Sequence, residues 1–375
     1  MRIAHVSDFH VSRYGNTYEE RKSPLKEATG AGWETVSEED GWRIEIQPAA
    51  ERTFVFRDNL RLVDDDGLVH HVVRARAEDQ AEKRTELSKV HARKMSTQSD
   101  LLARDFPSAE RATELLQQDP DNANLRFCLL AHTVRTLNPD WVVITGDLTE
   151  DGVGFDLVSE GFRPFIERQR FLAIPGNHDI YPSMPFVVAK PLRKTEGQKR
   201  KIWSKWAASV GVPSGGCFLK DLGDGVILMA LDSCHPPKIP HSASGLVELN
   251  DLHHLRGELD SRGKETRIAC LHHHIVNPPV TLTGSAPFQA GMRLRNAKDV
   301  VAELRGIGLG LVLNGHRHMG YRYHPARSPL FLSSPSSTLG CRTGLGPYFW
   351  VIDVVAGKEP VITDVHVDNL EPVYR

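Results

Sequence analysis

A chain of 375 residues with a formal net charge of −2 carries no global field that would draw it to nucleic acid or to an anionic membrane. Its 40% hydrophobic and 25% charged residues are the proportions of a soluble globular protein, with length for a large domain plus an insertion. No run approaches the ~20 apolar residues of a membrane span, the start "MRIAHVSDFHVSR" has no secretory h-region, and five scattered cysteines make no CxxC pair. A soluble, cytoplasmic protein is expected.

The first predicted strand is "RIAHVSDFH", an apolar run that stops abruptly at Asp8 and His10. The stretch after it breaks the pattern. "WRIEIQ", "RTFVFRD" and "LVHHVVRA" alternate like half-exposed strands, "DDDG" reads as a hairpin turn, and "AEDQAEKRTELSKVHARKM" as a charged helix. Residues 15–105 are therefore expected to form an inserted subdomain of small β unit plus helix, a cap or an oligomerisation element. Residues 1–14 and 106–375 form the main domain. His70 and His71 are adjacent in one of those strands and point to opposite faces, which argues against one shared ligand site.

From Asn122 onward, helical segments alternate with short apolar runs. Helices are predicted over "NANLRFCLLAHTVRTLN", "KRKIWSKWAASVGV", "ELNDLHHLRGELDSRG" and "NAKDVVAELRGIG". His253 and His254 in the third are read as surface or packing residues. Strands are predicted over "DWVVITGDLTEDG", "RFLAIPGNHD", "GVILMALDS", "TRIACLHHHIV" and "LGLVLNGHRH", rich in Val, Ile and Leu and buried on both faces. The tail "YFWVIDVVAGKEPVITDVHVD" reads as two further strands that complete a second sheet. The architecture expected is α/β, in layers.

The chemistry lies where these runs end. In an α/β fold the carboxyl ends of neighbouring strands converge on one crevice. They deliver Asp8 and His10, Asp147, Asn177 and His178, His272 with His273 and His274, and His316 with His318. All are oxygen or imidazole donors, a set that suits zinc, manganese or iron. In extended backbone, residues two apart point the same way, so Asp8 pairs with His10 and His316 with His318. These are too many ligands for one tetrahedral ion. They suit two ions bridged by a carboxylate, for which Asp147 is placed, and paired ions clamp a phosphate. Gly146, Gly176 and Gly315 precede ligands and let the backbone come close. Taken singly, "DFH" or "GHRH" reads as a surface loop; the order of the whole set, each member after an apolar run, decides against that.

The ordered motifs "SDFH", "TGDLTEDG", "IPGNHD", "CLHHHI" and "NGHRH" resemble the signature of the calcineurin-like metallophosphoesterase family. The resemblance covers the first dozen residues and roughly 125–339, and the long segment after His10 departs from it. "GDLTEDG", "IPGNHD", "LDS" and "SGLVELNDLHHLRGEL" look most like the bacterial cyclic-nucleotide and glycerophosphodiester phosphodiesterase branch. The resemblance implies a two-sheet α/β sandwich with Asp8, His10 and His318 on one metal, Asp147 bridging, and Asn177, His272 and His316 on the other. His273 is the fallback for His272, and His274 is expected to lie behind the ligands or to face the substrate. It further implies that His178 contacts phosphate and protonates the leaving oxygen or stabilises its charge, with Asp179 orienting His178. The reaction implied is in-line attack of a metal-activated hydroxide on a small phosphate ester, a diester first. A monoesterase or a nuclease with the same centre is the alternative, and a non-catalytic scaffold the remaining one. Arg295, Arg317, Arg322 and Arg342 are candidate phosphate contacts, each with a surface salt-bridge role as the rival reading. "SSPSSTLG" is expected to line the pocket, and a homo-oligomer through the insertion is the partner expectation.

Overall fold

The computed structural model describes residues 1–15, 34–39, 42–46, 60–63, 69–72, 96–183, 193–236, 242–263, 265–275, 292–323, 329–341, 345–355, 357–367, 370–371 and 373. Strand β1 is Arg2–Val6. Strands β2 (Glu34–Glu39), β3 (Trp42–Ile46), β4 (Leu60–Val63) and β5 (Val69–Val72) pair antiparallel in that order as a separate small sheet. Two of them fall where alternation predicted strands; "RTFVFRD" and the charged helix lie outside the described residues.

Next come helices α1 (Ser99–Arg104), α2 (Ala109–Leu116) and α3 (Ala123–Leu137), strand β6 (Trp141–Thr145), helix α4 (Phe155–Glu167) and strand β7 (Phe171–Ile174). Helix α5 (Asn177–Ile180), helix α6 (Glu196–Ser209), strands β8 (Phe218–Gly223) and β9 (Val226–Ala230), helix α7 (Leu249–Asp260) and strand β10 (Thr266–Cys270) follow. The chain continues through helix α8 (Ala297–Ile307) and strands β11 (Leu311–Asn314), β12 (Tyr321–Tyr323), β13 (Leu330–Ser333), β14 (Tyr348–Asp353) and β15 (Val361–His366).

Two mixed sheets carry the main domain, ordered β15-β14-β1-β6-β7 and β12-β13-β11-β10-β9-β8. Strands β1, β6 and β7 run parallel to one another, as do β9, β10, β11 and β13. The pleat sends alternate residues to opposite layers. Trp141 and Val143 face the second sheet, packing with Leu228, Ile268 and Leu313, whereas Val142 and Ile144 join Phe127, Phe162 and Phe165 on the helical side. The outer face of the second sheet is covered by α7 and α8 through Leu252, Leu255, Val300 and Leu304. The fold is thus the expected two-sheet α/β sandwich.

Two expectations are corrected. The C-terminal strands do not complete the second sheet: β14 pairs antiparallel with β1, and β15 with β14, in the first. Residues 96–105, expected inside the insertion, pack against the main domain. Leu102 of α1 packs with the helical layer, Ser99 N donates to Arg13 O at 2.9 Å, and Asn124 donates to Thr97 O at 2.8 Å. His253 and His254 are exposed on α7, beside Glu303 and Glu258, as expected of surface residues.

Candidate metal centre

Parallel strands end on the same side of a sheet, so the loops after β1, β6 and β7 are neighbours, and so are those after β10 and β11. The two sheets meet at these ends. Asp8 N donates to Gly146 O at 3.0 Å and His10 N to Asp147 O at 3.1 Å, which ties the first loop to the second. Across the sheets, His316 N donates to the Asp8 carboxylate at 3.0 Å and His272 Nδ1 to Thr145 O at 2.7 Å.

Tight turns replace the extended backbone expected here. Asp8, His10, Asp147, His316 and His318 have φ of 56°, 53°, 51°, 76° and 51°, left-handed values. They are five of the eight non-glycine residues with positive φ among the described residues. Such conformations cost of order 1 kcal/mol or more each and persist where surroundings impose them. Glycine at positions 176 and 315 is a matter of space. A Cβ on Gly176 would clash with Asp147 N and Oδ1, and one on Gly315 with Ser7 Oγ and Asp8 Oδ2.

Three donor groups result among the described residues; His10, Glu150 and His178 form one, and the other two hold the expected Asp and His ligands. Ligand atoms of Asp8, His10, Asp147 and His318 lie within 4.8 Å of one another, as do those of Asp147, His272 and His316. Asp147 belongs to both. Its Oδ1 accepts from His178 N at 2.8 Å, while Oδ2 stands 3.3 Å from His272 Nε2 and 4.0 Å from His10 Nε2. Asn177 Oδ1 lies 3.0 Å from His272 Nε2. The neighbours His316 and His318 go to different groups, against the same-side geometry expected from spacing alone.

The imidazole tautomers follow from the outer partners. His10 Nδ1 donates to Glu150 Oε2 at 2.8 Å, His272 Nδ1 to Thr145 O, and His316 Nε2 to Met292 O at 2.9 Å. Their other ring nitrogens then face inward. His10 Nε2 sits 2.9 Å from His318 Nε2, and His316 Nδ1 sits 3.2 Å from His272 Nε2. Buried ring nitrogens converging so closely, with carboxylate oxygens beside them, form a cradle for cations, and His10, His272 and His316 are each oriented by an oxygen acceptor behind the ring.

The electrostatics agree. Burial opposes charge on His10 and His272, but Glu150, Asp147 and Asp8 around the first, and Asp147 and Asp8 around the second, outweigh it and hold both at about 9. Burial likewise opposes ionisation of Asp147, yet His272, His178 and His10 push it well below the usual carboxylate range. His316 is pushed well down by burial and by His273, His272 and His274. A metal ion bound at such a site would displace the protons on His10 and His272, so binding would release them at neutral pH.

Of the three consecutive histidines, His272 reaches the donor groups. The His273 ring faces Ser233 Oγ and Ala243 O, both at 2.9 Å, and His274 stacks on His316 with ring centroids 5.8 Å apart. Asp179 is placed differently from expectation. Its buried carboxylate accepts from Gly176 N, Leu148 N, Thr149 N and Thr149 Oγ1 at 2.8–3.1 Å, joining the β6 and β7 loops. The His178 ring is held instead by Glu150, whose carbonyl is 3.2 Å and whose Oε2 is 3.6 Å from Nδ1.

Glu150 thus supports both His10 and His178 and was missed in the sequence, although it stands inside "GDLTEDG", three residues after Asp147. The serines of "SSPSSTLG" are buried. Ser336 Oγ donates to Asp8 O at 2.6 Å and Thr338 Oγ1 to Phe9 O at 2.8 Å, bracing the left-handed Asp8 turn. Arg295 donates to the carbonyls of Gly245 and His235, and Arg322 to Ile362 O while stacking on Trp350. Arg317 is buried, with Nη1 3.2 Å from Met292 Sδ, and Arg342 lies outside the described residues.

The family model for calcineurin-like phosphoesterases matches residues 106–320. No curated protein matches the sequence significantly. Solved structures that resemble the chain include a dimetal phosphatase from Danio rerio, 13% identical with a TM-score of 0.42, covering 64% of this chain and 85% of that one. Purple acid phosphatase PPD1 from yellow lupin (Lupinus luteus) seeds is 10% identical with a TM-score of 0.43, covering 66% of this chain and 48% of that one. Phosphopantetheinyl hydrolase from Mycobacterium tuberculosis is 12% identical with a TM-score of 0.35, covering 52% and 79%. Likenesses at this level say nothing of substrate. Among the described residues no helix is long and apolar enough to cross a membrane.

Proposed function

The chain belongs to the calcineurin-like phosphoesterase family, and from that premise we propose that it hydrolyses small phosphodiesters, of cyclic-nucleotide or glycerophosphodiester type, at a two-metal centre. One observation carries the reading: two groups of buried donors share Asp147, and His178 stands against the same carboxylate. Asp8, His10 and His318 would hold one ion and Asn177, His272 and His316 the other, with Asp147 common to both. Manganese, iron or zinc, when bound, supplies Lewis-acid polarisation of the phosphate and acidifies a water.

The chain's own groups do the rest. The His178 N–H pins Asp147 Oδ1, so that Oδ2 faces both groups. His178 hands a proton to the leaving oxygen from Nε2, its Nδ1 being directed at the Glu150 carbonyl. Glu150 keeps His10 Nε2 turned inward. The diester preference is supported by the sequence resemblance. We read the small four-stranded sheet as part of an inserted subdomain that caps the site or joins subunits.

The test is manganese-supported hydrolysis of bis-p-nitrophenyl phosphate beside p-nitrophenyl phosphate. Faster turnover of the diester, lost by about 10²–10⁴-fold in His178→Ala with the fold retained, is the expected result. A monoester preference would move the protein to the phosphatases. His178→Ala with wild-type turnover would sink the assignment of the proton donor.

A further inference from the structure

The His178 carbonyl lacks a helical donor. Helix α5 is a single turn, Asn177–Ile180, and four residues beyond His178 stands Pro182, which has no N–H. The donor arrives from another helix: Lys199 Nζ meets His178 O at 2.8 Å. Lys199 lies in the first turn of α6, whose start is fixed by a capping box between Thr195 and Gln198, and its side chain is only 3% exposed. The same ammonium sits 2.7 Å from Asp151 Oδ1. Asp151 is further held by Ser183 Oγ at 2.8 Å and Lys194 Nζ at 3.2 Å. It directly follows Glu150, whose carbonyl takes the His178 ring hydrogen bond.

A buried ammonium is retained only where it is paired, and here both of its partners lead to one residue. Through His178 O it fixes the main chain of that histidine. Through Asp151 it fixes the loop that carries Glu150, and so the ring.

We propose that Lys199 is a positioning residue for His178, holding the imidazole in its working orientation without touching substrate. This rests on the reading of His178 as the proton donor. Misplacement of a reacting group by about 1 Å costs up to about 10²-fold in rate. Lys199→Met is therefore expected to lower kcat about 10–100-fold on the diester, with KM within about 2-fold and metal content unchanged. Lys199→Arg, which keeps a charge and donors, is expected to recover part of the loss. In a His178→Ala background, Lys199→Met is expected to add less than about 2-fold, since its effect passes through the missing ring.

A second readout is independent of turnover. In metal-free, 15N-labelled protein the His178 ring signals, assigned with His178→Ala, are expected to shift or broaden in Lys199→Met and to return toward wild type in Lys199→Arg. Unmoved ring signals, or an equal loss of kcat with and without His178, would overturn the proposal. Should His178→Ala turn over like wild type, the proton-donor reading falls while the ring signals still judge Lys199. If Lys199→Met does not fold, Lys199→Met/Asp151→Asn removes the stranded carboxylate and is read in the same way.

Discussion

Replacing Asp179 by Asn separates a carboxylate that joins two loops from one that acts on the His178 ring. Asp179 receives four hydrogen bonds: Gly176 N at 2.9 Å and Leu148 N at 3.1 Å on Oδ2, and Thr149 N at 2.9 Å and Thr149 Oγ1 at 2.8 Å on Oδ1. An amide offers one acceptor oxygen in place of two. With that oxygen turned to Gly176 and Leu148, the Thr149 hydroxyl can rotate and accept, but the Thr149 N–H faces an NH₂ group. One buried donor left stranded costs about 1–3 kcal/mol, and loss of charge on the two retained bonds about 1 kcal/mol more. An opposing term exists. Burial and the nearby Asp147 charge raise the Asp179 pKa, so neutralising it relieves some repulsion. Four short bonds outweigh one longer-range repulsion, and a net loss of about 2–4 kcal/mol is expected. Urea unfolding of metal-free protein reads it directly, beside the pH profile of kcat in metal-loaded protein. The profile is expected to keep its shape while amplitude and stability fall. Wild-type stability with a displaced pH profile would refute the joining role and restore Asp179 as the group that tunes His178.

Glu150→Gln removes the carboxylate behind His10. Metal affinity, measured by competition with a chelating dye, is expected to drop about 10–100-fold, and an unchanged affinity would deny Glu150 its supporting role. His5 is fully buried against Thr145 Oγ1, and burial pushes its pKa down to about 3. The unfolded chain, near 6.5, takes up that proton first, so stability is present above about pH 6.5 and is lost as pH falls toward the folded value. Relative to His5→Asn, which does not titrate there, wild type is expected to lose about 2 kcal/mol between pH 7 and pH 5 in urea unfolding of metal-free protein. Parallel curves for the two proteins would contradict it.

The parts legible in the sequence were those governed by burial and strand period. Apolar runs such as "WVVIT" and "LVLN" are buried at every residue and became β6 and β11, and the polar residues ending them converge because parallel strands share an end. The turn conformation was not legible. Left-handed φ at Asp8 and His10 is braced by tertiary bonds, among them Ser336 Oγ to Asp8 O from more than 300 residues away. Helix α4 went unread because Gly161 and Pro164 sit inside it and argue against a helix. Packing overrides that preference: Gly161 lies so close to Phe127 that a Cβ there would collide with its ring. Strand β8 is a half-exposed edge with little period, and the pairing of β14 with β1 leaves no mark in either segment. Lys199 reads as one more charge on a charged helix, since nothing local says that Pro182 leaves a carbonyl for it to cap.

Metal stoichiometry tests the shared-carboxylate centre most directly. Protein loaded with manganese, freed of excess ion by gel filtration and analysed for metal is expected to carry two ions per chain. Asp147→Ala, still folded by circular dichroism, is expected to retain fewer than about one, because both donor groups lose the same residue. A single ion in wild type, or two ions undiminished in Asp147→Ala, would contradict the account.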